Sequence, residues 1–207
     1  MNNILTYLDE LYPNPQCELN YNHDYELLIA VMLSAQTTDK RVNQVTSILF
    51  KKYPNLKVLK KANTKDIETL VKSLGNYKKK SLAIVQIAKI LDENYQAKVP
   101  CQRSILESLP MVGRKTTNVV LSVLFNEPNI AVDTHVSRVA KRLKLVKSKD
   151  NVLIIEKKLK KKIPKDRWSK FHHQMVLFGR YQCKAIKPVC SSCKINNECL
   201  YYQKKEN

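Results

Sequence analysis

The chain has 207 residues, 43% of them hydrophobic, enough for a packed core in one domain or two small lobes. Lysine and arginine number 37 against 18 acidic residues, giving a formal charge of +19 and a sequence pI near 9.7. That excess is larger than solubility requires, so it excludes a purely inert scaffold and implies a polyanionic partner, with nucleic acid first. The longest apolar run, about Leu27 to Leu33, is too short to span a membrane. Met1-Asn2-Asn3-Ile4-Leu5 lacks the basic start and apolar core of a secretory signal. A cytoplasmic protein is expected, with its six cysteines outside disulfides.

In chain order, a first helix reads from Ile4 to Leu11 and is ended by Pro13 and Pro15. Asp24 can cap the next, Tyr25 to Ser34, which is apolar nearly all round and belongs in the middle of a core. After Leu33-Ser34-Ala35-Gln36-Thr37-Thr38-Asp39, Thr37 or Thr38 can cap a helix that turns Val42, Val45, Ile48 and Leu49 inward; Pro54 closes it. Asn63 or Thr64 starts another with Ile67, Leu70, Val71 and Leu74, ended by Gly75. Beyond Asn76-Tyr77-Lys78-Lys79-Lys80 a further helix shows Leu82, Ile84, Val85, Ala88 and Leu91. Ser104 with Glu107 makes a capping box for the helix before Leu109. Asp133 opens a helix bearing Val136, Val139, Ala140 and Leu143, and Ser148 or Asp150 opens one with Leu153, Ile154 and Leu159. Trp168, Phe171, Met175 and Phe178 line a last long helix that stops at Gly179. Strand-type alternation is absent, so an all-α protein of about ten helices is expected.

The stretch Leu109-Pro110-Met111-Val112-Gly113-Arg114-Lys115-Thr116-Thr117 organises the rest. Pro110 and Gly113 predict a tight turn, and Val119, Val120, Val123 and Leu124 begin a helical period straight after it. The turn delivers backbone N–H groups and Lys115 into the start of a helix, a setting that suits an anionic oxygen such as a DNA phosphate. The positive helix end disfavours the charged form of a lysine placed there. A lysine with a lowered pKa is a usable amine nucleophile. Eighteen residues separate Lys115 from Asp133, room for a helix and a return loop that lets two helix starts face one cleft. Taken alone, Lys115 is one more phosphate-contacting lysine, and Asp133 is an N-cap.

Near the C-terminus, Cys183, Cys190, Cys193 and Cys199 give C-x6-C-x2-C-x5-C. Four thiolates that close in a reducing compartment mean a metal site. Zinc and an iron–sulfur cluster both take four thiolates, and the spacing physics does not decide between them. Cys17 and Cys101 are left to ordinary packing.

Leu109 to Thr117, continued by Asn118-Val119-Val120 and by Val132-Asp133-Thr134-His135, resembles the helix-hairpin-helix signature of the endonuclease III family of DNA glycosylases. The cysteine spacing, directly after Phe178-Gly179-Arg180-Tyr181 and carrying Lys184, Lys187 and Pro188, resembles the iron–sulfur loop of the same family. The resemblance implies a two-lobed helix-hairpin-helix glycosylase fold. Residues 18–127 would form a helical barrel with the hairpin at about 104–125, and 1–17 with 128–207 a second lobe with the cluster loop 183–199. It implies a bifunctional DNA N-glycosylase of base excision repair that removes oxidised pyrimidines and cleaves the abasic site. The expected partner is double-stranded DNA with damaged pyrimidines or abasic sites, met as a monomer at the nucleoid.

The same resemblance distributes the parts. With the target base out of the stack, Lys115 would attack the sugar carbon, displace the base and form a Schiff base, and β-elimination would break the strand on the 3′ side. Asp133 would stabilise the cationic sugar and help deprotonate Lys115. Leu109, Met111, Val112, Gly113 and Arg114 would grip the DNA backbone, with His135 at a phosphate. Gln36 would fill the gap left by the base, and the wedge would come from the turn Leu74-Gly75-Asn76-Tyr77. Cys183, Cys190, Cys193 and Cys199 would hold a [4Fe-4S] cluster whose loop offers Lys184, Lys187 and Lys194 to phosphates. One departure stands out: the family usually has glycine where this chain has Met111. If that position needs φ > 0, methionine there costs about 1 kcal/mol or more.

Two rivals share part of this pattern. An adenine-mismatch glycosylase of the same superfamily lacks the lysine nucleophile and carries an extra recognition domain, for which the chain past Cys199 is too short. A non-catalytic DNA-binding module with a structural zinc would explain the charge and the cysteines without any chemistry at Lys115.

Overall fold

The computed structural model describes residues 1–206. Among them run twelve α-helices and no strand: α1 Asn2–Leu11, α2 Asp24–Leu33, α3 Asp39–Lys52, α4 Leu56–Leu59, α5 Thr64–Val71, α6 Tyr77–Asn94, α7 Arg103–Ser108, α8 Arg114–Phe125, α9 Thr134–Arg142, α10 Val152–Lys162, α11 Trp168–Leu177 and α12 Leu200–Glu206. The short α4 and α12 had no sequence expectation, because four to seven residues are too few to show a period. The chain divides into two compact units. One, here the hairpin unit, is Glu18–Phe125; the other, the cysteine unit, is Met1–Cys17 with the chain from Asn126 onward.

The hairpin unit is built round α2, where every residue from Tyr25 to Leu33 is buried. α3, α6 and α8 pack on it. Buried Glu26 closes a capping box with His23 and accepts from the Asn22 N–H at 2.6 Å, so the N-cap is His23 and not Asp24. On α3 the inward stripe is Val42, Val45 and Leu49; Ile48 lies off that stripe and is 58% exposed. Leu82 is exposed for the same reason, α6 turning Ala83, Ile84, Ile87, Ala88 and Leu91 inward instead. α5 stops at Val71, and the left-handed residue that separates it from α6 is Asn76 (φ 61°), not Gly75. The box foreseen at Ser104 does not form: the N-cap of α7 is Gln102, and Glu107 is drawn into an ion pair with Arg103 at 3.1 Å.

The cysteine unit has its own core, including Leu8, Val136, Leu159, Phe171, Met175 and Phe178. Polar clamps tie α1 to it. Gln174 Nε2 donates to the carbonyls of Leu8 and Tyr12 at 3.1 and 3.0 Å. Asp9 accepts from Arg167 and Lys170, both at 2.8 Å. α10 is capped by Asn151, whose Oδ1 accepts from the Ile154 N–H, rather than by Ser148 or Asp150. Asp150 is occupied elsewhere, by the Lys147 N–H and by Lys158 at 2.6 Å. Leu153 and Ile154 are exposed, because Ile155 and Leu159 set the inner stripe. The last long helix does not stop at Gly179 but runs on as a π-turn over Phe178–Gln182.

Candidate active site

In the hairpin unit α7 leads into the turn and α8 leaves it. The Val112 N–H donates to the Leu109 carbonyl at 3.1 Å, closing a four-residue turn. Pro110 stands second and Met111 third with φ 59°, the left-handed third position of a type II turn. The residue that bends the chain is therefore Met111. Gly113 has no positive φ, and a Cβ there would meet nothing within 4 Å. Buried Leu109 and Val112 pin the turn to the core, and the Met111 side chain is 40% exposed. The Thr117 N–H donates to the Gly113 carbonyl at 3.0 Å, so α8 starts straight after the turn. Arg114 is exposed, and half-buried Lys115 is the second residue of the helix. A helix start offers N–H groups not used inside the helix, aimed where an anionic oxygen can sit. Elsewhere in this unit Gln36 is exposed and left-handed (φ 59°) in the loop between α2 and α3. In the wedge turn Leu74 is buried in the core, which leaves Asn76 as the exposed residue of the two.

In the cysteine unit Asp133 is the N-cap of α9, its Oδ1 accepting from the Val136 N–H at 2.8 Å. That bond fixes the carboxylate while leaving it at the rim of the helix. His135, half-buried two residues on, has its Nδ1 3.2 Å from Arg138 Nη2. Burial pushes the His135 imidazole below its usual value, Asp133 pulls it up, and Arg138 and Arg180 push it down again. A neutral imidazole can accept the Arg138 N–H on Nδ1.

α9 also carries two residues that sequence reasoning missed. Arg138 donates to the carbonyls of Gly179 (2.8 Å) and Cys183 (3.2 Å). Arg142 donates to Cys183 Sγ at 3.2 Å, to the Lys184 carbonyl at 2.7 Å and to the Ala185 carbonyl at 3.2 Å, and it lies 3.9 Å over the Tyr201 ring. The signal that could have found them is their spacing: His135, Arg138 and Arg142 share one helix face. Gly179 belongs to this arrangement, since a Cβ there would sit 2.8 Å from His135 Cβ.

Cys183, Cys190, Cys193 and Cys199 line one partly open pocket, together with Phe178 and Tyr202. Burial pushes the Cys183 and Cys193 thiols up, and for Cys193 the three other cysteines add to the rise. Such a set stays deprotonated only with cations among its sulfurs. Among the described residues no three His, Cys, Asp or Glu side chains are placed to hold a metal ion. Lys184 and Lys187 are exposed on the same loop, Lys187 with φ 49°. Lys194 is turned aside into an ion pair with Glu10 at 2.6 Å. Cys101 is exposed rather than packed. No helix among the described residues is long and apolar enough to cross a membrane.

Residues 29–165 match the family described as HhH-GPD superfamily base excision DNA repair protein. Endonuclease III of Bacillus subtilis (strain 168) is 44% identical over 199 residues, spanning 96% of this chain and 91% of that protein. Endonuclease III of Escherichia coli (strain K12) is 43% identical over 201 residues, spanning 97% and 95%. Among solved structures, a trapped endonuclease III–DNA covalent intermediate superposes with a TM-score of 0.95 at 44% identity, covering 100% of this chain and 97% of that one. With the hairpin turn, the capped Asp133 and the four gathered cysteines, these likenesses mean that the chain belongs to the endonuclease III family of HhH-GPD base excision DNA repair proteins.

Proposed function

We propose that this protein is a bifunctional DNA N-glycosylase and abasic-site lyase that removes oxidised pyrimidines from duplex DNA in the cytoplasm. The observation that carries the reading is Lys115 at the second position of α8, directly behind a tight turn whose helix start suits an anionic oxygen. It is supported by a near-identical fold in a relative trapped as a covalent DNA intermediate and by the charge of +19.

The chemistry follows from the residue types. The Lys115 amine attacks C1′ of the extruded nucleotide, and the C1′–N bond breaks with its electron pair leaving on the base, which takes up a proton. Asp133 offsets the positive charge that builds on the sugar and accepts a proton from the Lys115 nitrogen; its bond to the Val136 N–H keeps it oriented. Ring opening gives a Schiff base between Lys115 and the sugar. Loss of a C2′ proton then expels the 3′ phosphate, and water releases the lysine. The N–H groups at the start of α8, with Met111, Val112, Gly113 and Arg114, hold the DNA backbone during these steps, assisted by Leu109 under the turn, His135, Lys184 and Lys187.

Cys183, Cys190, Cys193 and Cys199 would hold a [4Fe-4S] cluster. Four thiols round one pocket can give one ligand to each iron of such a cluster, and their spacing resembles the family's iron–sulfur loop. Arg142 on Cys183 Sγ is the kind of donor that a bound thiolate accepts. When bound, the cluster fixes the loop that presents Lys184 and Lys187.

Borohydride reduction during incubation with an abasic duplex tests the central claim. A covalent adduct is expected from the wild type and none from Lys115→Ala; undiminished trapping in that variant removes Lys115 from the role. A brown protein with a visible iron–sulfur absorption is expected, and a colourless zinc protein overturns the cluster. DNA affinity should fall steeply with salt, since each phosphate contact releases counterions; a flat response would place the charge away from the DNA.

A further inference from the structure

α6 opens on Tyr77-Lys78-Lys79-Lys80, three lysines at the positive end of a helix dipole, where cations are disfavoured. Lys78 and Lys79 are exposed, as solvated lysines should be. Lys80 is 1% exposed. A lysine is almost never buried to that degree unless paired, yet the partners of Lys80 are not carboxylates. Its Nζ donates to the carbonyls of Leu33 and Ala35, both at 2.9 Å, and reaches Thr37 Oγ1 at 3.5 Å. Three acceptors match the three protons of an ammonium. Burial lowers the pKa of this lysine, and the carbonyls at the negative end of α2 offset that by favouring a cation.

The acceptors are not scattered. Leu33 ends α2, and Ala35 and Thr37 flank Gln36, whose left-handed φ a non-glycine residue keeps only where its surroundings hold it. Ser34 is tied back to α2 by its N–H and hydroxyl, on the Ala30 and Val31 carbonyls at 2.9 and 2.8 Å. Beyond it the loop's own bonds are longer: the Ala35 N–H reaches the Met32 carbonyl at 3.4 Å, the Thr37 N–H the Ser34 carbonyl at 3.1 Å and the Thr37 hydroxyl the Ala35 carbonyl at 3.4 Å. On its other side Lys80 stands in the first turn after left-handed Asn76, to whose carbonyl its N–H donates at 3.1 Å. One buried side chain thus ties the Gln36 loop to the Asn76 turn within the hairpin unit.

We propose that Lys80 is a positioning residue for base extrusion, holding the Gln36 loop in register with the Asn76 turn so that both meet the duplex as one rigid element. The role rests on the glycosylase reading above, in which Gln36 fills the vacated stack. A misplacement of an ångström in such an element is enough to cost about 100-fold in rate.

The test uses the whole protein, with Lys80→Met, which keeps the stem without the ammonium, and Lys80→Gln, which keeps a donor on a shorter reach. The substrate is a duplex carrying one oxidised pyrimidine beside 2-aminopurine. In Lys80→Met, base release should fall by about 10- to 100-fold, the 2-aminopurine signal of extrusion should vanish, and affinity for undamaged duplex should hold within about twofold. Amide exchange should quicken at residues 34–37 and not in α8. In a Gln36→Ala background, Lys80→Met should add almost nothing, because two residues acting through one device are not additive. The full Lys80→Met loss on top of Gln36→Ala, or an unmoved 2-aminopurine signal, overturns the proposal. So does unfolding of both Lys80 variants, which would make Lys80 a residue of the fold. A wild type that traps no abasic duplex sinks the glycosylase reading and this role with it, whereas an active wild type beside an equally active Lys80→Met sinks this role alone.

Discussion

The hairpin turn and the cysteine loop are held by different means. The turn between α7 and α8 takes its shape from backbone: Pro110 presets one dihedral, Met111 takes the left-handed one, and two buried apolar residues seat it. The cysteine loop has little regular backbone and is held from outside, by Arg138 and Arg142 on α9, by Tyr7 on α1 and by Gln182. A turn of the first kind is local and survives changes far away. A loop of the second kind fails when any one support is withdrawn, and changes to the two should therefore differ in size and reach.

The largest expected effect is in the loop. Cys199, 8% exposed, is part of the cysteine-unit core, so Cys199→Ser should abolish visible absorption and cost that unit more than about 4 kcal/mol, the range reserved for loss of a metal or its equivalent. Trp168, the single tryptophan, lies in this unit and reports its melting. Amide exchange in α2 and α8 should stay as in the wild type; a matching loss there would erase the contrast. Next comes Gly179→Ala, whose new Cβ would meet His135 Cβ at 2.8 Å. Overpacking of that kind costs about 1–3 kcal/mol, and the Trp168 melt should fall accordingly.

A smaller effect lies with Asp9. Burial alone would raise its carboxyl, but hydrogen bonds from Lys170, Gln174 and Arg167 outweigh this and hold it at about 2. A depressed carboxyl stabilises the fold fully above its unfolded value of about 3.9 and loses that contribution as pH falls towards 2. Asp9→Asn should therefore melt below the wild type above pH ~4, the two curves converging at lower pH; a constant offset down to the lowest pH would show that charge is not the cause. The smallest change is Met111→Gly. Relief of a left-handed methionine, offset by the entropy glycine adds to the unfolded chain, should leave the hairpin unit more stable by about 1 kcal/mol or less. A loss of stability there would mean that the Met111 side chain itself holds the turn.

The same contrast decides what could be read in advance. Long amphipathic helices announce themselves by period, and the Pro-Met-Val-Gly turn and the cysteine spacing by residue type. Helix starts were legible only where the nearest capping residue is also the one used, as at Asn63 and Asp133. At α2, α7 and α10 a competing partner took the expected cap: Glu26 recruited His23, Arg103 took Glu107, and Lys158 took Asp150. Arg138, Arg142 and Lys80 were invisible for another reason. In a chain with 37 basic residues nothing local separates a lysine facing water from one aimed at two carbonyls and a hydroxyl. Gly179 likewise read as a helix stop, because its neighbour His135 is distant in sequence.

The chain spends none of its three glycines on a left-handed bend, while among the described residues eight others, including Gln96, Ala97 and Lys144, adopt that conformation. Scarcity of glycine narrows the conformations open to the denatured polypeptide, which favours folding. The bends give part of that advantage back. Ala97, to which no part in chemistry or DNA binding is assigned, is thus a ready-made place to raise heat tolerance by a single exchange to glycine or asparagine.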